Sequence, residues 1–194
     1  GFDVIIGNPP WVEYATVKKA YTVRNYTTER CGNLHTLATE RSLSLRSPLG
    51  SFSFIVQLPL MNSSRMDSAR DMLRRRSRSL HVIPFDDRPG KLFSGLQHCR
   101  SVIFISRSTP GADGNSDGLF TTEYQRWPTE TRATLFQRIE FDGVRGPVIH
   151  VGHFPKYGAS SEQRVFEKLM GAADTTIGDF TLARSSKHFV FYQE

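Results

Sequence analysis

Residues 2–6, "FDVII", form an apolar run rich in β-branched residues, without the alternation of a half-exposed strand. A run of this kind fits a strand covered on both faces, as in a parallel sheet. Gly7 and then Asn8-Pro9-Pro10-Trp11 end it. The two prolines fix φ and remove two backbone donors, so the tetrapeptide can continue neither a strand nor a helix. The chain is therefore expected to carry a strand that delivers a stiff loop to its carboxyl end. In an open α/β sheet, that is the edge where ligands bind.

The rest of the chain repeats the alternation. Residues 12–32 are polar and irregular, with Tyr14, Tyr21 and Tyr26 spaced through them, and read as a loop with one helical turn. Asn33 is placed to cap a helix bearing Leu34, Leu37, Ala38 and Leu45, which "SPLG" at 47–50 should stop. "SFSFIVQL" (51–58) reads as a second strand. A helix from Ser63 or Ser64 carries Met66, Ala69, Met72 and Leu73 at helical spacing. "LHVIPF" (80–85) and "SVIFISR" (101–107) are two closely spaced strands. "STPGADGNSDG" (108–118) has the composition of a surface loop. A helix is expected at 129–139 on Leu135, Phe136 and Ile139, and a last one from Ser160, with Gln163 completing a capping box and Val165, Phe166, Leu169 and Met170 following. The order implies an α/β fold with parallel strands, closed by an antiparallel hairpin.

The tetrapeptide has a chemistry of its own. Asn8 offers a side-chain carbonyl and an amide, Pro9 a backbone carbonyl, and Trp11 a flat face. Two acceptors beside an aromatic wall suit a planar group bearing an NH2, whose two hydrogens they can both accept. A core aromatic is the alternative reading of Trp11.

Charge bears on the partner. There are 25 Lys and Arg against 19 Asp and Glu, a net charge of +6 and a pI near 9.6, a balance that favours anionic partners such as nucleic acid. Arg74, Arg75, Arg76 and Arg78 crowd the end of the second helix. They suit either a solvated face near a negative helix end or a phosphate-contacting one. Cys31 and Cys99 have no metal-ligand or redox spacing and read as free thiols of a reducing cytoplasm. No stretch approaches the ~20 apolar residues of a membrane span. His81, His98, His150 and His153 form no metal set, and Asp86-Asp87 reads as a solvated turn pair rather than a nuclease centre.

"GNPPW" after an apolar strand resembles motif IV of the S-adenosylmethionine-dependent amino-methyltransferases, most closely the N6-adenine DNA methyltransferases of single-chain restriction–modification enzymes. The segment 32–75 looks like the helix, turn, strand and arginine-bearing helix that follow that motif. "IPFDDRPGKLFSGLQHCRSVIFI" is similar to the family's hairpin, whose aromatic falls at Phe93. "FTTEYQRW" and "HFPKYG" resemble segments leading toward a target-recognition domain. The resemblance implies the C-terminal half of a class I, Rossmann-like methyltransferase sheet. Residues 1–110 would be a partial catalytic domain, and 111–194 its extension toward target recognition. It implies double-stranded DNA as partner, Asn8 and the Pro9 carbonyl binding the N6 amine of a flipped adenine, Pro10 stiffening the loop, and Trp11 and Phe93 stacking on the base.

The family's glycine-rich cofactor motif has no counterpart here: "VIHVGHF" (148–154) lacks the spacing, and Gly90 and Gly95 flank an apolar pair in a hairpin. With Gly1 in place of an initiator Met, the chain is expected to be a piece of a longer one, most of its S-adenosylmethionine site lying upstream, inactive alone and binding the cofactor weakly or not at all. Two alternatives stay open. One is a methyltransferase acting on RNA or on a protein glutamine amide; the other is a catalytically dead module that only binds nucleic acid.

Overall fold

The structure, a computed structural model, describes residues 1–20, 22–93, 95, 99–108, 118–144, 152–172, 181–184 and 189–191. Tyr21, His98, His150, most of the 108–118 loop and the start of "VIHVGHF" lie outside the described residues. So do 185–188 and the last three positions.

Six strands form one mixed sheet: β1 (Phe2–Gly7), β2 (Arg46–Gln57), β3 (Ser79–Phe85), β4 (Ser101–Arg107), β5 (Gly118–Thr121) and β6 (Asp142–Val144). Their spatial order is β1-β2-β4-β3-β5-β6. β1 pairs parallel to β2 and β3 parallel to β5, while β4 lies antiparallel to both β2 and β3. β1, β2, β3 and β5 thus run one way and β4 and β6 the other. The α/β class and the antiparallel β3–β4 hairpin are as expected, but β4 inserts between β2 and β3, and two more strands extend the sheet. β7 (Thr181–Arg184) and β8 (Phe189–Phe191) pair separately.

One face of the sheet carries the main core. Phe52, Phe54 and Val56 of β2, Leu80 and Val82 of β3, and Val102 and Phe104 of β4 alternate onto it. They meet Leu43 of α2 (Leu34–Leu45), the helix that follows the single turn α1 (Tyr14–Val17), and Ala69, Met72 and Leu73 of α3 (Asp67–Arg75). Phe52 packs edge-on against both Phe54 and Phe104. Arg70 of α3 is fully buried in this layer, where it donates to the Leu60 and Ser63 carbonyls at 2.9 and 2.8 Å and pairs with Asp67. The opposite face is covered at its β3 end, where Ile83 and Phe85 meet Trp127 and Leu135.

β1 departs from the expectation of a strand covered on both faces. It is an edge strand, and Phe2, Val4 and Ile6 are 60%, 65% and 79% exposed. Only Ile5 packs on the main core, because its register partner is Phe52 whereas Val4 and Ile6 lie opposite Ser51 and Ser53 on the second face. No described helix covers that face beside β1.

Other elements shift for local reasons. The capped helix α2 ends at Leu45 as expected, but strand β2 starts at once. The β1–β2 register slips between Phe2 and Val4, so residues 47–50, with Pro48, bulge out of a ladder in which proline could not donate. Residues 129–138 form 3-10 turns rather than an α-helix, with Leu135 buried and Phe136 60% exposed. α4 (Ser160–Ala172) starts where expected, but Glu162, not Gln163, reaches back, accepting from the Gly158 amide at 2.8 Å. Gln163 is buried and donates to Glu167. No described helix is long and apolar enough to cross a membrane.

Candidate amine-binding site

Gly7 places the site. A Cβ there would lie 2.8 Å from the Phe54 ring, so only glycine lets the end of β1 approach β2 this closely. The loop then leaves the sheet with Asn8 exposed, Pro9 buried and Pro10 exposed. Neither the Asn8 side chain nor the Pro9 carbonyl makes a hydrogen bond among the described residues. Pro10 also lines an open cavity of 210 Å³ with Tyr26, Leu37 and Arg41.

Trp11 is half-buried and tethered. Its indole Nε1 donates to the Ile55 carbonyl of β2 at 3.3 Å. Its ring meets Phe93 edge-on, with centroids 5.4 Å apart and planes at 87°. Two positions 82 residues apart, paired beforehand only by resemblance, thus form one wall.

The chain beyond Trp11 is pinned to the start of α2. The Leu34 amide donates to Val12 O at 2.9 Å and the Tyr14 amide to Gly32 O at 2.8 Å. Asn33, fully buried, accepts from the His35 amide at 3.2 Å, which is the expected cap. Its amide nitrogen lies 3.4 Å from both Glu13 Oε1 and Gln57 Oε1. Arg65 ion-pairs with Glu13, and this hydrogen-bonded guanidinium holds the Glu13 carboxyl below its usual range. His35 is buried with neither ring nitrogen partnered among the described residues, and burial drives its pKa down to about 4.

Phe93 is held from the other side. Arg132, in the 3-10 segment, donates to Lys91 O at 2.9 Å and to Leu92 O at 2.8 Å. Gly90 donates to Trp127 O at 2.7 Å, at a contact where a Cβ would strike the same carbonyl.

The Asp86-Asp87 pair is not solvated as expected. Both side chains are 5% exposed and stand at the foot of the loop that carries Phe93. Arg100, at the other foot, reaches Asp86 at 3.1 Å and Asp87 at 3.3 Å through Nε, and Arg126 reaches Asp86 at 2.8 Å. Burial pushes the Asp86 carboxyl up, but the Asp87 amide and the two guanidiniums outweigh it and leave it below the usual range. Tyr124 sits alongside, its phenol pushed up to about 12 by burial and by the Asp86 charge.

Arg74, Arg75, Arg76 and Arg78 are not brought to this site. They precede β3, whose first residue Ser79 is registered with Arg107 at the end of β4, so they occupy the opposite edge of the sheet. A seven-residue strand, roughly 20 Å, separates the two edges. Arg75, Arg76 and Arg78 are exposed there and Arg74 is half-buried; Arg75 pairs with Asp71. Among the described residues no group of acids, histidines and cysteines could hold a metal ion, and Cys31 and Cys99 are free thiols. Arg132, Arg100, Arg126 and the Glu13–Asn33–Gln57 network were not marked by any motif. The one local hint was the Asp-Asp-Arg-Pro-Gly turn, which places acids at a loop foot.

The fold is similar to part of several solved restriction–modification enzymes. Residues 1–91 match the family described as Eco57I restriction-modification methylase. The chain is similar to the structure of a DrdV–DNA complex, with a TM-score of 0.54 and 14% identity over 77% of this chain and 18% of that one. It is similar to a nuclease-deletion mutant of the Type ISP restriction-modification enzyme LlaGI in complex with a DNA substrate mimic (TM-score 0.53, 15% identity, 73% of this chain and 14% of that one). The type IIG restriction endonuclease BpuSI gives a TM-score of 0.50 and 14% identity over 93% of this chain and 23% of its own. The chain therefore spans less than a quarter of each of these proteins. No curated protein matches it.

Proposed function

We propose that this chain carries the methyl-acceptor side of an N6-adenine DNA methyltransferase in a restriction–modification system. The observation that carries the reading is the uncommitted pair of acceptors at Asn8 and Pro9, set beside the Trp11–Phe93 wall at the carboxyl edge. The family match over residues 1–91 supports the reaction class, and relatives of the same fold in complex with DNA support the partner. An adenine turned out of the duplex would give its N6 hydrogens to Asn8 Oδ1 and the Pro9 carbonyl, with Trp11 against the ring. Accepting both hydrogens draws the lone pair out of conjugation and aims it away from the loop. The nitrogen takes the methyl group and afterwards releases a proton to water, so no side chain is assigned as a base.

S-adenosylmethionine supplies an electrophilic methyl carbon on a sulfonium. The described residues form no cradle for it: Gly90 is filled by Trp127, and Gly95 turns at φ +80° with nothing near its missing Cβ. No residue of this chain is assigned to the cofactor. Residues 1–110 stand as the partial catalytic domain and 111–194 as its extension toward target recognition. The arginines at 74, 75, 76 and 78 would touch only DNA that wraps to the far edge.

The test is methyl transfer to adenine-containing duplex by the full-length protein, the longer chain expected to include the cofactor site, and its Asn8→Ala variant. A loss of about 100-fold or more, comparable to removing one transition-state hydrogen-bond partner, is expected with DNA binding retained. Equal rates would remove the role of Asn8. Label appearing in RNA or in a glutamine peptide, and not in duplex adenine, would move the chemistry to those substrates.

A further inference from the structure

We propose that Arg100 and Arg126 form a phosphate-binding pair that receives the DNA backbone beside the amine-binding loop, an inference that rests on the DNA reading above. Both guanidiniums are spent on one nitrogen only. Arg100 contacts Asp86 and Asp87 through Nε, and Arg126 contacts Asp86 through Nε. No bond from either pair of terminal nitrogens is made among the described residues. Four N–H groups on each arginine are left, in the planar fork that matches a phosphate's oxygens.

Exposure divides the cluster by sign. The two carboxylates are each 5% exposed, whereas Arg100 is 57% and Arg126 69% exposed, so solvent and any polyanion meet the cations. Lys156 adds a third, 5.2 Å from the centre of the Tyr124 ring, with Arg126 5.6 Å from the same ring. Three cations over two buried acids leave a local excess of one positive charge. Because the acids and the ring already hold the arginines, little side-chain freedom remains to be lost when an anion binds.

The place fits as well. Ser101, the first residue of β4, is registered with Gln57 and Phe85, the last residues of β2 and β3, which sets Arg100 and Asp86 at the carboxyl edge. Arg100 O accepts from the Leu58 amide at 3.1 Å. Leu58 lies three residues beyond Ile55, from which Trp11 hangs, roughly 10 Å along the strand direction. A base held against Trp11 would bring its flanking phosphates into this region.

A clasp that merely closes the Phe93 loop would use the same ion pairs, so the test must read the arginines' interaction with phosphate. Binding of the full-length protein to a fluorescent duplex of about 30 base pairs containing a mismatched adenine is measured from low to moderate NaCl. Removing one arginine–phosphate interaction lowers the slope of log K against log salt by about 0.9. Arg126→Gln and Arg100→Gln should each do so and the double variant by about twice that, while Arg126→Lys keeps the slope. Arg126 comes from outside the loop, so its variants carry the test even where Arg100→Gln fails to fold. An unchanged slope in Arg126→Gln overturns the inference, and with wild-type methylation of adenine intact it leaves the proposed function standing. A wild type that binds no duplex overturns both. Steeper salt dependence on an RNA duplex than on DNA overturns the assignment of the partner.

Discussion

The Trp11 ring meets the Phe93 ring edge-on, at 5.4 Å and 87°. A base sandwiched between two parallel faces needs them roughly 7 Å apart, twice the optimal carbon–carbon separation. The pair is neither parallel nor that far apart, so a base can lie flat on Trp11 only if Phe93 turns aside. Trp11→Ala should then weaken binding of an extruded base by about 1–3 kcal/mol, and Phe93→Ala by less. Fluorescence of 2-aminopurine at the target position reads both. An equal or larger loss for Phe93→Ala would mean two-sided stacking.

Arg132 holds the carbonyls of both residues preceding Phe93, although it is exposed and comes from another segment. Hydrogen bonds to a charged group are worth about 1.5–3 kcal/mol, and these two fix a loop rather than the core. Arg132→Gln is expected to slow methyl transfer several-fold with a melting temperature close to wild type. Arg132→Lys should not rescue, since one ammonium cannot reproduce a fork spanning two carbonyls. Full activity in Arg132→Gln would show that the loop is set without it.

Gly7 ties the core to the site through its contact with Phe54. Gly7→Ala forces the buried ring or the strand end to move, at a cost of about 1–3 kcal/mol. Because Asn8 is the next residue, activity should fall further than stability alone explains, and a comparison of denaturation midpoints with rates at low temperature separates the two. An active, destabilised Gly7→Ala would confine the glycine to packing.

His35 makes stability depend on pH. Burial lowers its pKa from 6.5 to about 4, Glu13 opposing and Arg65 adding to the effect. The unfolded chain therefore takes up a proton first as pH falls, and the stability held above pH 6.5 drains away between about 6.5 and 4. The full loss is roughly 3 kcal/mol. Glu13, Glu40 and Asp86, whose carboxyls lie below their usual range, add losses at lower pH. His35→Leu should flatten the upper part of the profile in urea unfolding at pH 7.5, 6 and 5, and an unchanged slope there would contradict a neutral buried imidazole.

What could be read from the sequence follows from range. The loop at 8–11, the Asn33 cap and the core face of α3 depend on neighbours a few residues away, and periodicity and proline chemistry suffice for them. Contacts such as Trp11 with Phe93, or Arg132 with Leu92, join segments with no local signature. Phe93 was placed only by resemblance, and Arg132 not at all. Burial of Asp86 and Asp87 reversed the reading of a solvated turn because arginines 13 and 40 residues downstream neutralise them. The β1 run was composed as if covered on both sides, and a sequence pattern cannot say which segment does the covering.

That strand has a practical consequence. Its outer backbone groups meet no neighbouring strand among the described residues, and Phe2, Val4 and Ile6 present a row of oily side chains beside them. An unpaired, greasy edge is a template on which another copy can add a strand. These 194 residues, made alone, should form concentration-dependent dimers and larger species in sedimentation. Ile6→Lys, placing a charge on that row without entering the core, should keep them apart, and a monomer at all concentrations in the unmodified chain would show the edge to be harmless. A partner that covered β1 would thus act as a chaperone for solubility and stand beside the loop at 8–11.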